Sequence, residues 1–191
     1  DNISISTHTP SKEKIIKEAF DFHSQGNILE AAKHYQYFID QGLEDHRVFS
    51  NYASILKDLG KLQDAELSTR KAIELNPAFA DAHSNLGIIL KDLGKLQDAE
   101  LSTRKAIELN PALGEAHYNL GLILKDLNKL DESILCYQKA IDLKTDLTKA
   151  VAEMGIIMTL KGNYKEGLQK IKEGYGSIIF DHITPAMRIE M

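Results

Sequence analysis

Small and turn-forming residues recur along this chain at a fixed interval of 34. From Lys12 the pattern divides the chain into consecutive units at 12–45, 46–79, 80–113, 114–147 and 148–181. The eighth place of each unit is small: Ala19, Ala53, Gly87, Gly121 and Gly155. So is the twentieth: Ala31, Ala65, Ala99, Ser133 and Gly167. The twenty-seventh is small in Ala72, Ala106, Ala140 and Gly174, with Phe38 the exception. Two helices approach closely only where side chains are short, and a larger residue there overpacks at a cost of about 1–3 kcal/mol. The fifteenth place holds Gly26, Gly60, Gly94, Asn128 or Gly162, residue types that accept the left-handed conformation ending a helix. Each unit therefore predicts a first helix at about positions 2–14, a tight turn, and a second helix at about 17–30.

The boundaries between units carry their own punctuation. Asn76-Pro77 and Asn110-Pro111 suit a helix start, with Pro in the first turn and Asn as the cap. Gly42 and Thr145-Asp146 take that place in other units. Residues 1–11 read as a flexible lead-in, with Thr9-Pro10 or Ser11 opening the first helix, and 182–191 as a tail. Near the end, Gly174 and Gly176 are expected to break the last helix. Ser177-Ile178-Ile179-Phe180 is then expected to fold back over the fifth unit or to join two chains as a homodimer through the C-terminal end.

The repeat is literal in one place. Residues 55–78 and 89–112 are the same letters, ILKDLGKLQDAELSTRKAIELNPA. A period of this length is the mark of stacked two-helix units, which grow by addition and have no closed core. Composition agrees with an ordered protein, at 43% hydrophobic and 27% charged residues. A net charge of -5 gives no reason to expect nucleic acid as a partner. No apolar run approaches the roughly 18 residues that span a bilayer, so no membrane partner is expected. A single cysteine, Cys136, excludes an internal disulfide framework and fits a cytoplasmic setting.

Small residues at positions 8, 20 and 27, Tyr52, Leu86 and Leu120 at position 7, and Pro at position 32 resemble the tetratricopeptide repeat, or TPR. The resemblance runs through all five units. It implies an all-α, right-handed superhelical solenoid in which 12–45 is TPR 1, 46–79 TPR 2, 80–113 TPR 3, 114–147 TPR 4 and 148–181 TPR 5. Two places depart from the family pattern. Position 4, often tryptophan, is Ile15, Phe49, His83, His117 and Val151. Position 24, usually a large aromatic, is Tyr35 and Tyr137 in two units but Thr69 and Thr103 in the duplicated pair.

The chain carries no HExxH, GxSxG, GxGxxG or Walker loop, so neither an enzyme nor a cofactor or metal is expected. His83 and His117 share position 4 one unit apart; an inter-repeat metal pair is conceivable, and half-buried packing is the plainer reading. Cys136 reads as a packing thiol, since no base is tied to it by spacing.

The resemblance implies instead that the first helices line a concave groove. There, position 6 supplies Asn51, Asn85 and Asn119. A carboxamide both donates and accepts, so a row of them can hold the backbone of an extended peptide. This is similar to the asparagine ladder in the TPR region of O-linked N-acetylglucosamine transferases. The same residues also read as part of the family's SNLG and YNLG strings. Ile88 and Leu122 at position 9 offer apolar contact. Lys57, Lys91 and Lys125 at position 12 either select acidic side chains or form, with Asp58, Asp92 and Asp126 beside them, a solvated charged face. The carboxylate clamp of chaperone-binding TPR proteins is not matched, because no Asn stands at position 9. The functional expectation is a protein–protein interaction module that binds an extended peptide or partner protein in the concave groove. The alternative is the substrate-recognition arm of a larger enzyme, for example a glycosyltransferase, as in the long bacterial TPR arrays that precede a catalytic domain.

Overall fold

The structure is a computed structural model, and it describes residues 11–143, 147–180 and 187–190. The chain divides into two compact units, Asp1–Pro77 and Ala78–Met191. Residues 1–10 of the expected lead-in, Thr145-Asp146, and residues 182–186 and 191 of the tail lie outside the described residues.

The first compact unit contains α1 (Lys12–Ser24), α2 (Ile28–Asp40), α3 (His46–Asp58) and α4 (Leu62–Leu75). Ser11 opens α1, its hydroxyl accepting from the Lys14 N–H at 3.3 Å. Asp45 opens α3, with Oδ1 accepting from the Arg47 N–H at 2.9 Å. Such caps satisfy backbone donors that the first helical turn leaves unpaired. The core joins Ile15, Ile16 and Ala19 of α1 to Ala31, Tyr35 and Phe38 of α2 and to Val48 and Ile55 of α3. Phe20 meets the Tyr35 ring edge-on, with centroids 6.0 Å apart.

The second compact unit contains α5 (Ala80–Asp92), α6 (Leu96–Leu109), α7 (Gly114–Asp126), α8 (Leu130–Asp142), α9 (Leu147–Leu160) and α10 (Tyr164–Tyr175). A short antiparallel hairpin follows, β1 (Ser177–Phe180) paired with β2 (Met187–Glu190) in the register Ser177–Glu190. The repeat body is thus all-α, with one small strand pair appended where the sequence suggested a fold-back or a dimer contact.

Helices pair as the spacing predicts, and the turn between them has the expected geometry. Asn128 is the one non-glycine with positive φ among the described residues, at 60°. Its N–H donates to Lys125 O at 2.9 Å and the Lys129 N–H to Leu124 O at 2.8 Å. These two hydrogen bonds close the end of α7 over its last carbonyls. Position 20 packs under position 8, as where the Ser133 hydroxyl donates to Gly121 O at 2.6 Å. In the duplicated helices the threonines at position 24 are fully buried, and their hydroxyls donate back to Ala65 O and Ala99 O at 2.8 and 2.9 Å.

Two expectations need correction. Asn110-Pro111 does not cap and start α7, whose cap is Leu113. Asn110 ends α6, and its side chain accepts from the Ala112 N–H at 3.1 Å, a local turn that leads into the next helix. Asn76 likewise ends α4. Gly174 does not break the last helix, which runs to Tyr175. A Cβ there would meet Thr148 O at 2.3 Å and Ala152 N at 2.7 Å, so this glycine admits the backbone of α9. Gly176, at φ 90°, ends α10.

Candidate functional site

In the second compact unit the first helices of successive pairs lie side by side and share a face. Asn119 of α7 is 6% exposed, and its Nδ2 donates to the Ser84 hydroxyl of α5 at 3.1 Å. Position 6 of one repeat is thereby clasped to position 5 of the repeat before it. Asn85 is half-buried on α5. Ile88 of α5 and Leu122 of α7 are also half-buried, and Leu122 packs against the cluster of Tyr137, Ala150, Met154 and Ile157.

The lysine column meets carboxylates throughout. Lys91 Nζ lies 3.4 Å from Asp92 and 3.6 Å from Asp126, reaching from α5 to α7. Lys125 Nζ lies 2.6 Å from Glu153 Oε2, reaching from α7 to α9. Glu153 occupies the position where the three preceding repeats place asparagine, and its second oxygen accepts from the Tyr175 hydroxyl at 3.3 Å. These cations balance neighbouring acids, which leaves less of the field for a ligand.

In the first compact unit the remaining two site residues sit on α3. Lys57 pairs with Asp58 at 3.4 Å. Asn51 is half-buried and hydrogen-bonds the Tyr35 hydroxyl, which also lies 3.1 Å from His23 Nδ1. A cavity of about 530 Å³ opens between α1 and α3. Ile16 and Phe20 form its apolar wall, and the Arg47 guanidinium lies 5.7 Å from the Phe20 ring centroid. A cation over a ring face is attracted by its quadrupole. Asp45 holds that guanidinium at 2.8 Å. Burial alone would raise the Asp45 carboxyl, but the Arg47 side chain and N–H together keep it below the usual carboxylate range. Lys17 is an exposed cation on the same rim.

Sequence reasoning did not single out Ser84, Glu153 or the Arg47–Phe20 cavity. The signal for Ser84 was present: serine stands at position 5 in both units that bear the duplicated segment, next to the asparagine column. Of the other candidates, His117 packs with a ring nitrogen donating to Pro111 O at 3.0 Å. Cys136 has its thiol pushed up to about 11 by burial, which disfavours the nucleophilic thiolate. Among the described residues no group of three His, Cys, Asp or Glu side chains could hold a metal ion, and no helix is long and apolar enough to cross a membrane.

Two models of the tetratricopeptide repeat match residues 46–79 and residues 80–113 and 114–146, together more than half of the chain. No curated protein matches. Solved structures of similar fold include MamA from Desulfovibrio magneticus RS-1, at 21% identity and TM-score 0.71 over 85% of this chain and 92% of that one. YrrB, described as a TPR protein with an unusual peptide-binding site, aligns at 18% identity and TM-score 0.65, covering 86% of this chain and 84% of that one. The pilF protein of Pseudomonas aeruginosa aligns at 17% identity and TM-score 0.73, covering 85% of this chain and 74% of that one. At these identities the likeness establishes the fold alone.

Proposed function

The chain belongs to the tetratricopeptide repeat family, and on that premise we propose that it is a protein-interaction module whose first-helix faces bind an extended peptide or partner segment. The observation that carries the reading is the pair Ile88 and Leu122. Both remain half-exposed at the same position of adjacent helices, beside the carboxamides of Asn85 and Asn119. Apolar side chains left partly open in register are a surface that a ligand would cover. The asparagines would grip the peptide backbone between them. Asn119 Nδ2 already donates one N–H to Ser84, which orients the carboxamide so that its carbonyl oxygen would accept a peptide N–H. In the first compact unit Asn51 and the Ile16–Phe20 cavity would serve the same ligand class, and Lys57, Lys91 and Lys125 would favour acidic side chains near the backbone.

A displayed peptide library panned on the whole chain would supply the ligand, and titration of the recovered peptide tests the reading. Each backbone pairing should contribute about 0.5–1.5 kcal/mol net, because water competes for the same groups. Replacing Asn85 and Asn119 together by Ala is expected to weaken binding roughly tenfold or more, with the circular dichroism spectrum preserved. Unchanged affinity in that folded variant would assign the asparagines to repeat packing.

A further inference from the structure

We propose that the outer face of α10 is a docking seat for an amphipathic helix of another protein, one that ends in an acidic residue. The repeats show what such a face takes. On α8 the stripe Leu130, Ile134 and Ile141 packs against the cluster that holds Ala150, Met154 and Ile157 of α9. Within the first compact unit, Ile28, Ala32 and Ile39 of α2 likewise pack with Val48, Tyr52 and Ile55 of α3. The covering residues stand at repeat positions 3, 7 and 10, on one face of the covering helix. Helix α10 carries the same stripe, Tyr164, Leu168 and Tyr175 around the buried Ile171. Among the described residues no first helix follows to cover it. Position 17 shows the consequence: Ile28, Leu62, Leu96 and Leu130 are half-buried there, whereas Tyr164 is 66% exposed. Leu160, across the turn at the end of α9, is 67% exposed.

Charge identifies the occupant. Lys165 and Lys172 are exposed along one flank of the stripe and make no ion pair among the described residues. The acids of the helix, Glu166 and Glu173, lie round the far side and accept from Asn163 and Gln169. The preceding pair shows how that flank is used: Asp131, at position 18 of α8, pairs with Lys161, just past the end of α9. Position 18 of α10 is Lys165, so the matching helix presents an acid where α9 leads to Lys161. Its pattern is a small, a large and a branched apolar residue, spaced like Ala150, Met154 and Ile157, followed by Asp or Glu at the place of Lys161. A second copy of this chain does not fit. Its α1 has Lys14, Glu18 and Asp21 at positions 3, 7 and 10, and its other first helices bury those positions in their own repeats. Two α10 stripes laid antiparallel would set Lys165 of one copy toward Lys172 of the other. The face lies apart from the first-helix columns, and the proposal stands whether or not those bind a peptide.

Fluorescence anisotropy of a labelled synthetic helix, titrated with the whole chain, tests the proposal. The probe carries Ala, Met and Ile at the α9 spacing, Glu at the place of Lys161, and polar helix formers elsewhere; its twin has Lys for that Glu. The Glu probe should bind with a Kd between about 1 and about 100 μM, and the twin roughly threefold more weakly. Tyr164→Ser should weaken binding about tenfold or more at unchanged helicity, because the ring it removes lies in solvent. The variant Lys165→Glu, Lys172→Glu should prefer the twin. A Glu probe that fails to bind at about 1 mM chain overturns the proposal. So does a Tyr164→Ser chain that binds like wild type, or a charge variant that keeps the wild-type preference. A wild-type chain that doubles its 21.4 kDa mass in sedimentation, with Tyr164→Ser monomeric, gives the face to a second copy and overturns it too.

Discussion

The first and last helix pairs solve the same packing problem in opposite ways. In the α1–α2 pair, positions 8 and 20 are Ala19 and Ala31, while positions 24 and 27 are Tyr35 and Phe38, both fully buried. In the α9–α10 pair the same four positions are Gly155, Gly167, Ile171 and Gly174. A Cβ on Gly155 would lie 2.5 Å from Gly167 O and 2.7 Å from Ile171 N. One pair is held by aromatic volume, the other by backbone laid against backbone. The repeat register therefore fixes where two helices meet but not what fills the contact. It also follows that the two pairs fail differently: the first through a void, the second through an added atom.

The largest expected effect is on the void side. Phe38→Ala removes a fully buried ring and should cost about 3–5 kcal/mol. Hydrogen exchange should show the loss in α1–α3 and leave α9–α10 protected; a loss under about 1 kcal/mol would mean the ring is not what holds the pair. Next, Gly155→Ala should cost about 2–3 kcal/mol, because the atoms its methyl meets are backbone and cannot turn aside. Denaturant titration reads this directly, and a neutral result would show that the backbones are not in contact.

A smaller effect separates the pairs by pH. Burial pushes the Tyr35 hydroxyl up to about 12, with Asn51 working weakly against it. The unfolded chain releases that proton first, near pH 10. Stability from this group is thus complete below about pH 10 and is lost as pH rises toward 12, by roughly 1 kcal/mol at about pH 11. Tyr35→Phe should flatten that part of the alkaline slope, whereas position 24 of the last pair, Ile171, has no proton to lose. The smallest effect is expected from Gly87→Ala. A Cβ there meets Thr103 Oγ1 at 2.0 Å, which is a side-chain atom that can rotate. The α3–α4 pair already holds Ala53 at that position against the same helix sequence. Helix propensity favours the substitution by about 1 kcal/mol, so the net change in melting should stay within about 1 kcal/mol.

Much of the fold was legible because its constraints are local or periodic. The position-15 turn needs a residue that accepts positive φ, and Asn128 meets that need in the unit that lacks glycine. The small positions at 8 and 20 are buried throughout, as close helix approach requires. Where sequence reasoning failed, one residue type had two uses. Gly174 could end a helix or admit a neighbour's backbone, and only the position of α9 decides between them. Asn110 could cap the next helix or end the previous one, and the turn through Ala112 decides. The hairpin pairs two short segments whose register depends on residues well apart in the chain. The site was legible as columns, but a column says nothing about partners. Asn119 has the same letter as a ladder residue and spends its amide on Ser84, and Lys125 meets Glu153 where the neighbouring units have asparagine.

The duplicated segment makes α4 and α6 the same helix, ending at the same backbone angles: φ -143° and ψ 89° at Asn76, φ -141° and ψ 90° at Asn110. For a chain still searching for its fold, that identity is an ambiguity of address. Helix α3 recognises its partner by side chains that α6 also carries, so a slipped intermediate can form with a whole repeat looped out. Only the length of the loop tells the two apart. Closing the longer one costs about 2 kcal/mol more by the logarithmic law of chain closure, enough to make the slipped species a minority and too little to abolish it. Refolding should therefore show a minor slow phase, set by the escape of slipped chains back to the correct repeat.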